Sequence, residues 1–587
     1  MNASLQEVKE IAAELLGVDI NSLKTTTGVG DIPEWDSLAQ LSIVTTLEEK
    51  YNLNIDPEVM MEVSTIADLV QLVDGHVSSS KEQSKHIAYT ATIPVNTSHH
   101  QYGGTQLPPY DTQPVVCTIM QRAAEAPAKT ALIFAHESIN YFQLIQGAQA
   151  AAAWLKKRGV KRGDTVAVYS EKQKEFYFVY FGIHLLGAAV LNLDPEIKEE
   201  RRSFIYDQTD PCLSIGNVVH ADARYSDIDI VTQPLVPFEG PDMEDIADIM
   251  FTTGTTGAPK GVMLTQRNVA AAAWHINSFI GTTGDDIDVI ALPICHSFGI
   301  GRSRCLLVVG GTIVMAPGFS NVKRLFSIIQ NYKATGLAIV PAAWLYLHQM
   351  SGDKIAEFAS SLRYIEIGGA PMPEYTRRHL MNLFPHTRIC MYYGLTEASR
   401  STFMEFHSES LHLDTCGRPS PGVEVAVFSE NGELLSSGME GEICIKGNHV
   451  MKGYLHTPRE STYYGEYFRS GDWGMIDADG YVYVHSRKKD MINTGGKKVS
   501  PEELEDILNT IPGIFESACV PAPDPNGILG EVVKAIVVSD GSERPTDETI
   551  RSIMTNRVEH YKVPVFVEWR DKIQRTATGK IQRQFMK

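Results

Sequence analysis

The 587-residue chain lacks four things, and each lack narrows its function. It has no excess of positive charge. Its 71 Asp and Glu outnumber 52 Lys and Arg and leave a net charge of −19, which argues against nucleic-acid binding, because a phosphate backbone needs a basic face. It has no apolar run of the ~20 residues needed to cross a bilayer; the longest, around 179–193 and 305–316, fall short, so no membrane span is expected. The opening MNASLQEVKE lacks the basic-then-apolar layout of a signal peptide. Its eight cysteines stand far apart with no CxxC pair, the pattern of reduced, structural thiols in a cytoplasmic protein.

What is present is unevenly spread. Residues 1–78 hold 14 acidic and 3 basic side chains, a net of −11, and leave only −8 to the rest. That asymmetry marks a separate acidic module joined to a larger body. Within it Ser4 can cap a helix whose Leu5, Val8, Ala12 and Leu15 follow helical spacing. A second periodic stretch (Leu38, Leu41, Ile43, Val44, Leu47) follows Asp36-Ser37, and Ser64 or Thr65 opens a third with Ile66, Leu69, Val70 and Val73. The module reads as a helical bundle. Residues 79–110 are rich in Ser, Thr, Gly and Pro without periodicity and read as a linker.

From Asp111 the chain alternates helical stretches (148–158, 176–186) with short apolar runs (165–169, 188–193, 336–340, 364–367). This is the rhythm of an α/β body with largely parallel sheets. After about Gly417 short alternating strands (424–428, 441–447, 481–485) imply a β-rich subdomain, and the last hundred residues return to a mixed α+β pattern.

Two motifs carry chemistry. Taken singly, Ser37 in Trp35-Asp36-Ser37-Leu38 is a good helix N-cap. In an early position of a small acidic helical module with a long tether, it resembles the attachment serine of acyl or peptidyl carrier proteins. The resemblance implies 4′-phosphopantetheine on Ser37, added by a phosphopantetheinyl transferase, and downstream acyl-processing enzymes that dock on the carrier. A phosphodiester at a helix N-terminus meets unpaired N–H groups and the favourable end of the dipole.

The second motif is Thr252-Thr253-Gly254-Thr255-Thr256-Gly257-Ala258-Pro259-Lys260. Small residues let backbone N–H groups close around phosphate, and Lys260 adds charge. Walker A spacing fails, since Pro259 falls where its second glycine belongs. The loop resembles instead the phosphate-binding loop of adenylate-forming enzymes: acyl-CoA synthetases, adenylation domains and luciferases. Four further stretches match that family in order: Gly368-Gly369-Ala370-Pro371, Tyr392 to Glu397, Phe468 to Asp472, and Thr576 to Ile581. Singly, Asp472 is a turn residue, Glu397 a solvated carboxylate and Lys580 a tail lysine; their order and spacing carry the match.

By that resemblance Gly369, Ala370 and Pro371 form the adenine turn and Tyr393 stacks on adenine. Thr396 meets the α-phosphate, Glu397 holds Mg²⁺, and Asp472 and Arg487 take the ribose. Lys580 bridges the acid carboxylate and the α-phosphate. Lys489 is a hinge about which a small C-terminal domain rotates, after which Gly495 and Gly496 line a thiol tunnel. The family would build its acyl pocket around residues 292–299, with His296 as an aromatic-type gate and Phe298, Gly299, Gly301, Trp344 and Gly368 as walls. No acid lies within residues 291–301, and an unpaired ammonium in a closed pocket is costly. A fatty or aromatic acid is therefore expected rather than an amino acid. Arg302 and Arg304 would contact a second acidic group or, more simply, be solvated or paired.

The expected organisation is a carrier (1–78), linker (79–110), large adenylation subdomain (111–488) and small mobile α+β subdomain (489–587). The implied reaction uses ATP and Mg²⁺ to activate a carboxylic acid and passes the acyl group to the carrier thiol. Two alternatives stand beside it: free coenzyme A as acceptor, and a non-catalytic nucleotide-binding scaffold. Intact Lys580, Glu397 and Asp472 argue against the scaffold.

Overall fold

The computed structural model describes residues 5–16, 18–28, 35, 43–44, 46–47, 50–51, 63, 65–76, 113–135, 137–228, 239–252, 259–487, 490–494, 497–525, 530–575 and 581–586. In the N-terminal module the helix Leu5–Leu16 buries Val8, Ile11, Ala12, Ala13 and Leu16, the face set by its apolar spacing. Thr65 opens the helix Ile66–His76 with a reciprocal cap: the Asp68 N–H donates to Thr65 Oγ1 at 3.2 Å, and the Thr65 N–H to Asp68 Oδ2 at 2.9 Å. Trp35, Ile43, Val44 and Leu47 are fully buried between these elements.

The body is built on two largely parallel sheets. The six-stranded one runs Gly453–Tyr454, Lys260–Thr265, Ile246–Thr252, Ala189–Leu193, Thr165–Tyr169, Leu213–Ile215. At the centre of the nine-stranded one lie Arg388–Tyr393, Tyr364–Ile367, Gly336–Ile339, Ile287–Ile290 and Thr312–Met315, all parallel. Their mostly apolar, mostly buried residues are what burial on both faces requires. The helix Lys174–Leu185, buried from Phe176 to Leu185, carries apolar residues on every side and packs against Tyr141–Lys157. It is a core helix, so amphipathic spacing could not define it.

Five antiparallel strands from Val423–Phe428 to Val482–Arg487 form the β-rich subdomain. A three-stranded sheet (Ile514–Pro523, Glu531–Ser539, Phe566–Trp569) with the helices Pro501–Leu508 and Asp547–Thr555 makes the C-terminal α+β unit. All eight cysteines are free. No helix among the described residues is long and apolar enough to cross a membrane.

Candidate active site

The site assembles where parallel strands of the nine-stranded sheet end. Tyr364–Ile367 and Arg388–Tyr393 are in register, Ile367 opposite Met391, so the turn after the first strand lies beside Tyr393 at the end of the second. Ligands of open α/β sheets collect at such carboxyl edges. Gly368 is obligatory here: an added Cβ would stand 2.1 Å from Tyr392 Cε1. Gly369 takes φ +92°, the left-handed region that glycine tolerates. Ala370 and Pro371 complete the turn, half-buried and exposed.

Tyr393 donates its phenolic O–H to Asp472 Oδ2 at 2.6 Å, and Arg487 Nε meets Asp472 Oδ1 at 2.8 Å. Asp472 and Arg487 are direct partners on neighbouring strands. Arg487 Nη1 also donates to the Ser470 carbonyl at 3.0 Å. Asp472 is 4% exposed, and an ionised carboxylate, an acceptor only, is the kind of group that receives a diol. Burial pushes the Tyr393 phenol well up, and the Asp472 charge beside it pushes the same way. The phenol therefore stays a donor.

A second chain of contacts runs beside it. Tyr454 donates to Glu397 Oε1 at 2.6 Å, and Lys260 Nζ lies 5.0 Å from the Tyr454 ring centre. Glu397 is 8% exposed and contributes to the electrostatic surroundings of Arg487. A buried carboxylate with hard oxygen donors suits Mg²⁺, which is usually held by one or two carboxylates plus substrate phosphates. Thr396 precedes it, half-buried. Thr252 and Lys260 face each other across the antiparallel pair Ile246–Thr252 and Lys260–Thr265. The strands flanking the glycine and threonine segment thus pair antiparallel. A Walker A loop would lead from strand to helix.

The segment expected to form the acyl pocket leaves the strand Ile287–Ile290 and enters the helix Ser297–Val309, with exposed His296 at the N-cap position. Gly299 sits where a Cβ would meet the Pro293 carbonyl at 2.3 Å, and Gly301 where one would meet Arg400 Nη1 at 2.8 Å. Phe298 is buried edge-on to Tyr392, with centroids 5.1 Å apart. Trp344 is buried in the helix Pro341–Ser351 and stacks on His348. Arg302 and Arg304 are core arginines. Arg302 pairs with Asp288 and donates to the Tyr364 hydroxyl at 2.6 Å; Arg304 pairs with Asp248. Pairing is therefore their role, as the simpler expectation held.

Three residues without a motif join this region. Asp194, from the end of the other sheet's strand Ala189–Leu193, brings Oδ2 to 3.9 Å from Cys295 Sγ. Burial, reinforced by Asp194, pushes the Cys295 thiol up to about 12. A local reading of residues 291–301 could not find that carboxylate. Arg400, fully buried at φ +54°, donates to Glu366 at 3.0 Å and to the Ser297 and Phe298 carbonyls at 3.3 Å. A positive φ at a non-glycine next to a motif has no sequence signature. Lys172 is the third.

Ser37, Thr253, Gly254, Thr255, Thr256, Lys489, Gly495, Gly496 and Lys580 lie outside the described residues. Their flanks are described. Thr494 pairs with Lys497 around the two glycines, and an isolated bridge joins Arg575 to Ile581 around the lysine segment.

Comparison with known proteins gives matches over most of the chain. Residues 119–455 match the model of AMP-binding enzymes, 503–580 that of the AMP-binding enzyme C-terminal domain, and 6–73 that of the phosphopantetheine attachment site. Feruloyl-CoA synthase of Amycolatopsis is 30% identical over 79% of this chain and 96% of its own. A long-chain-fatty-acid–CoA ligase of Mycobacterium tuberculosis, FadD13, is 29% identical over 80% and 97%. Among solved structures, o-succinylbenzoate CoA synthetase (MenE) of Bacillus subtilis with its acyl-adenylate superposes with TM-score 0.73 at 25% identity, covering 81% of this chain and 98% of that one. ATP-bound MatB of Rhodopseudomonas palustris gives 0.74 at 26%, covering 81% and 98%.

Proposed function

The chain belongs to the AMP-binding enzyme family as an acid–thiol ligase with a phosphopantetheine attachment domain, and from that premise we propose its reaction. It activates a fatty or aromatic acid as the acyl-adenylate and passes the acyl group to the thiol of its own carrier at Ser37. The domains act as residues 1–78, 79–110, 111–488 and 489–587, in a reducing cytoplasmic setting.

The observation that carries this reading is the convergence of Tyr393, Asp472 and Arg487 beside Glu397, Tyr454 and Lys260, from strands of three sheets and the segment after Tyr393. The turn at Gly369, Ala370 and Pro371 with the Tyr393 ring would receive adenine. The lone pairs of Asp472, oriented by Tyr393 and Arg487, would accept ribose hydroxyls. Thr252 to Thr256 and Lys260 would cradle phosphate, and Thr396 the α-phosphate. Negative charge on phosphate oxygens grows as pyrophosphate leaves, so a positive group aimed there is the main requirement; Lys580 supplies it. Mg²⁺ held by Glu397 adds Lewis-acid stabilisation when bound. No general base is required, since a carboxylic acid is already ionised near neutrality. Lys489 acts as the hinge and Gly495 and Gly496 as the tunnel wall for the thiol. Phosphopantetheine supplies that thiol when attached, and fully buried Trp35, two residues before Ser37, anchors the segment that would carry it.

His296, Phe298, Gly299, Gly301, Trp344 and Gly368 would surround the acyl group. The names of the relatives, feruloyl, succinylbenzoate and long-chain fatty acid, support an acid without an α-ammonium. Asp194 is a nearby carboxylate that could receive one, so the test includes amino acids.

The experiment supplies the phosphopantetheinylated protein with ATP, Mg²⁺, coenzyme A and a panel of acids, and reads intact mass and acyl-CoA in solution. An acyl gain that disappears in Ser37→Ala supports the reading. Acyl-CoA appearing in solution with no mass gain would transfer the role to free coenzyme A. Absence of pyrophosphate exchange with every acid would favour a scaffold.

A further inference from the structure

Lys172 lies in the connection between the strand Thr165–Tyr169 and the helix Lys174–Leu185, on the six-stranded sheet. Its ammonium reaches across to the nine-stranded one. Nζ donates to the carbonyls of Ala291 and Ala316 at 2.7 Å each and of Pro317 at 3.1 Å. Three donors meet three acceptors, all that an ammonium can satisfy. The acceptors stand just past the parallel neighbours Ile287–Ile290 and Thr312–Met315. The inter-strand ladder ends there, with the Ala316 N–H on the Ile290 carbonyl at 3.1 Å. Carbonyls beyond a ladder's end need partners if they are kept from water, and one lysine supplies them for both strands.

Ala291 is also the root of residues 292–299. The far end of that segment is held by Arg400, on the carbonyls of Ser297 and Phe298. Arg400 and Lys172 thus bracket it, and because burial lowers the Lys172 ammonium to about 7, it is the protonated form that makes all three contacts. Arg400 is matched by the Glu366 carboxylate, whereas Lys172 donates to three neutral carbonyls. The charge of nearby Lys172 pulls against the burial that pushes the Cys295 thiol up.

We propose that Lys172 is a positioning residue for the acid substrate: by tying two strand ends together it fixes residues 292–299 and so sets the KM for the acid, without touching the reacting atoms. This rests on the reading of residues 292–299 as the wall of the acyl pocket. The nucleotide groups Tyr393, Asp472 and Glu397 take no contact from Lys172, so the two substrates respond differently to its removal.

The test compares Lys172→Met and Lys172→Arg with the wild-type full chain, measuring acid-dependent pyrophosphate exchange and amide hydrogen exchange across residues 291–301. In Lys172→Met the KM for the acid should rise about tenfold or more while the KM for ATP stays within about twofold, the signature of lost ground-state positioning. Hydrogen exchange should quicken in 291–301 and not in 388–397. Lys172→Arg, which keeps a cation able to donate to several carbonyls, should recover most of both effects. Equal rises in both KM values, or unchanged exchange at 291–301 in a folded Lys172→Met, would overturn the proposal. If the wild-type chain activates no acid, the ligase reading fails, and the hydrogen-exchange comparison still decides whether Lys172 fixes the segment. Loosening of 291–301 with an unaltered acid KM would retain the clamp but sink its proposed role in substrate binding.

Discussion

A side chain's contribution to this site is set by what it touches across the sheet, and its sequence neighbours reveal only part of that. Asp472 and Tyr393 were legible because each sits in a motif of fixed spacing. Tyr454, Asp194, Arg400 and Lys172 were not, because their partners Glu397, Cys295, Glu366 and Ala291 are remote in the chain. Such pairings depend on how strands are ordered, which spacing does not encode. The Tyr393 and Asp472 contact gives a direct prediction. Tyr393→Phe keeps an aromatic face for adenine and removes the 2.6 Å bond that orients Asp472. Hydrogen bonds to charged groups are worth about 1.5–3 kcal/mol, so the KM for ATP should rise about tenfold or more. The KM for the acid should hardly move. ATP kinetics indistinguishable from wild type would show that this bond does not position the ribose acceptor.

At the scale of elements, runs of β-branched and apolar residues gave Thr165–Tyr169, Tyr364–Ile367 and Gly441–Gly447 their observed limits. The expected strand at 481–485 instead spans Val482–Arg487, because pairing with Tyr467–Ile476 carries it on to the partner of Asp472. Elements that mix charge with burial were less readable. In the helix Pro501–Leu508, Ser500 accepts from the Glu503 N–H at 3.4 Å and donates to the His485 carbonyl at 2.7 Å, tying the helix to the β-rich subdomain. Glu502 in its first turn is pushed from the ordinary 4.5 up to about 7 by burial and by Glu505, against the pull of Arg583.

The sign of the consequence follows from proton counting. Between about 4.5 and about 7 the folded state holds this proton and the unfolded state does not, so stability falls as pH rises through that window. Glu502→Gln should leave thermal unfolding near pH 4.5 almost unchanged and raise the Tm at pH 8, flattening the slope between them. A slope equal to that of the wild-type chain would place the pH dependence on other groups.

For the molecule as a whole the question is which thiol the ligase serves. The N-terminal 78 residues carry −11 of the −19 net charge, and a surface of one sign assists encounter with a basic partner. Lys497, exposed and 4.4 Å above the Tyr561 ring, is one cation on the C-terminal unit that could meet it; the side chain of Lys498 lies outside the described residues. The linker of thirty-odd residues has a typical span of about 30 Å and gives a tethered thiol an effective concentration in the mM range. At about 1 µM protein, loading within one chain should therefore outrun loading between chains by up to about a thousandfold. This is measurable with two full-length, phosphopantetheinylated chains mixed in equal amounts: wild type, and Lys580→Ala, which keeps its carrier and loses adenylation. Early in the reaction intact mass should show acyl groups on the wild-type chain alone, at a rate that does not fall on tenfold dilution. Lys580→Ala should still convert acyl-adenylate supplied to it. Acyl groups appearing on both chains at equal rates would mean that the fused carrier is served in trans, and that its charge guides docking between molecules.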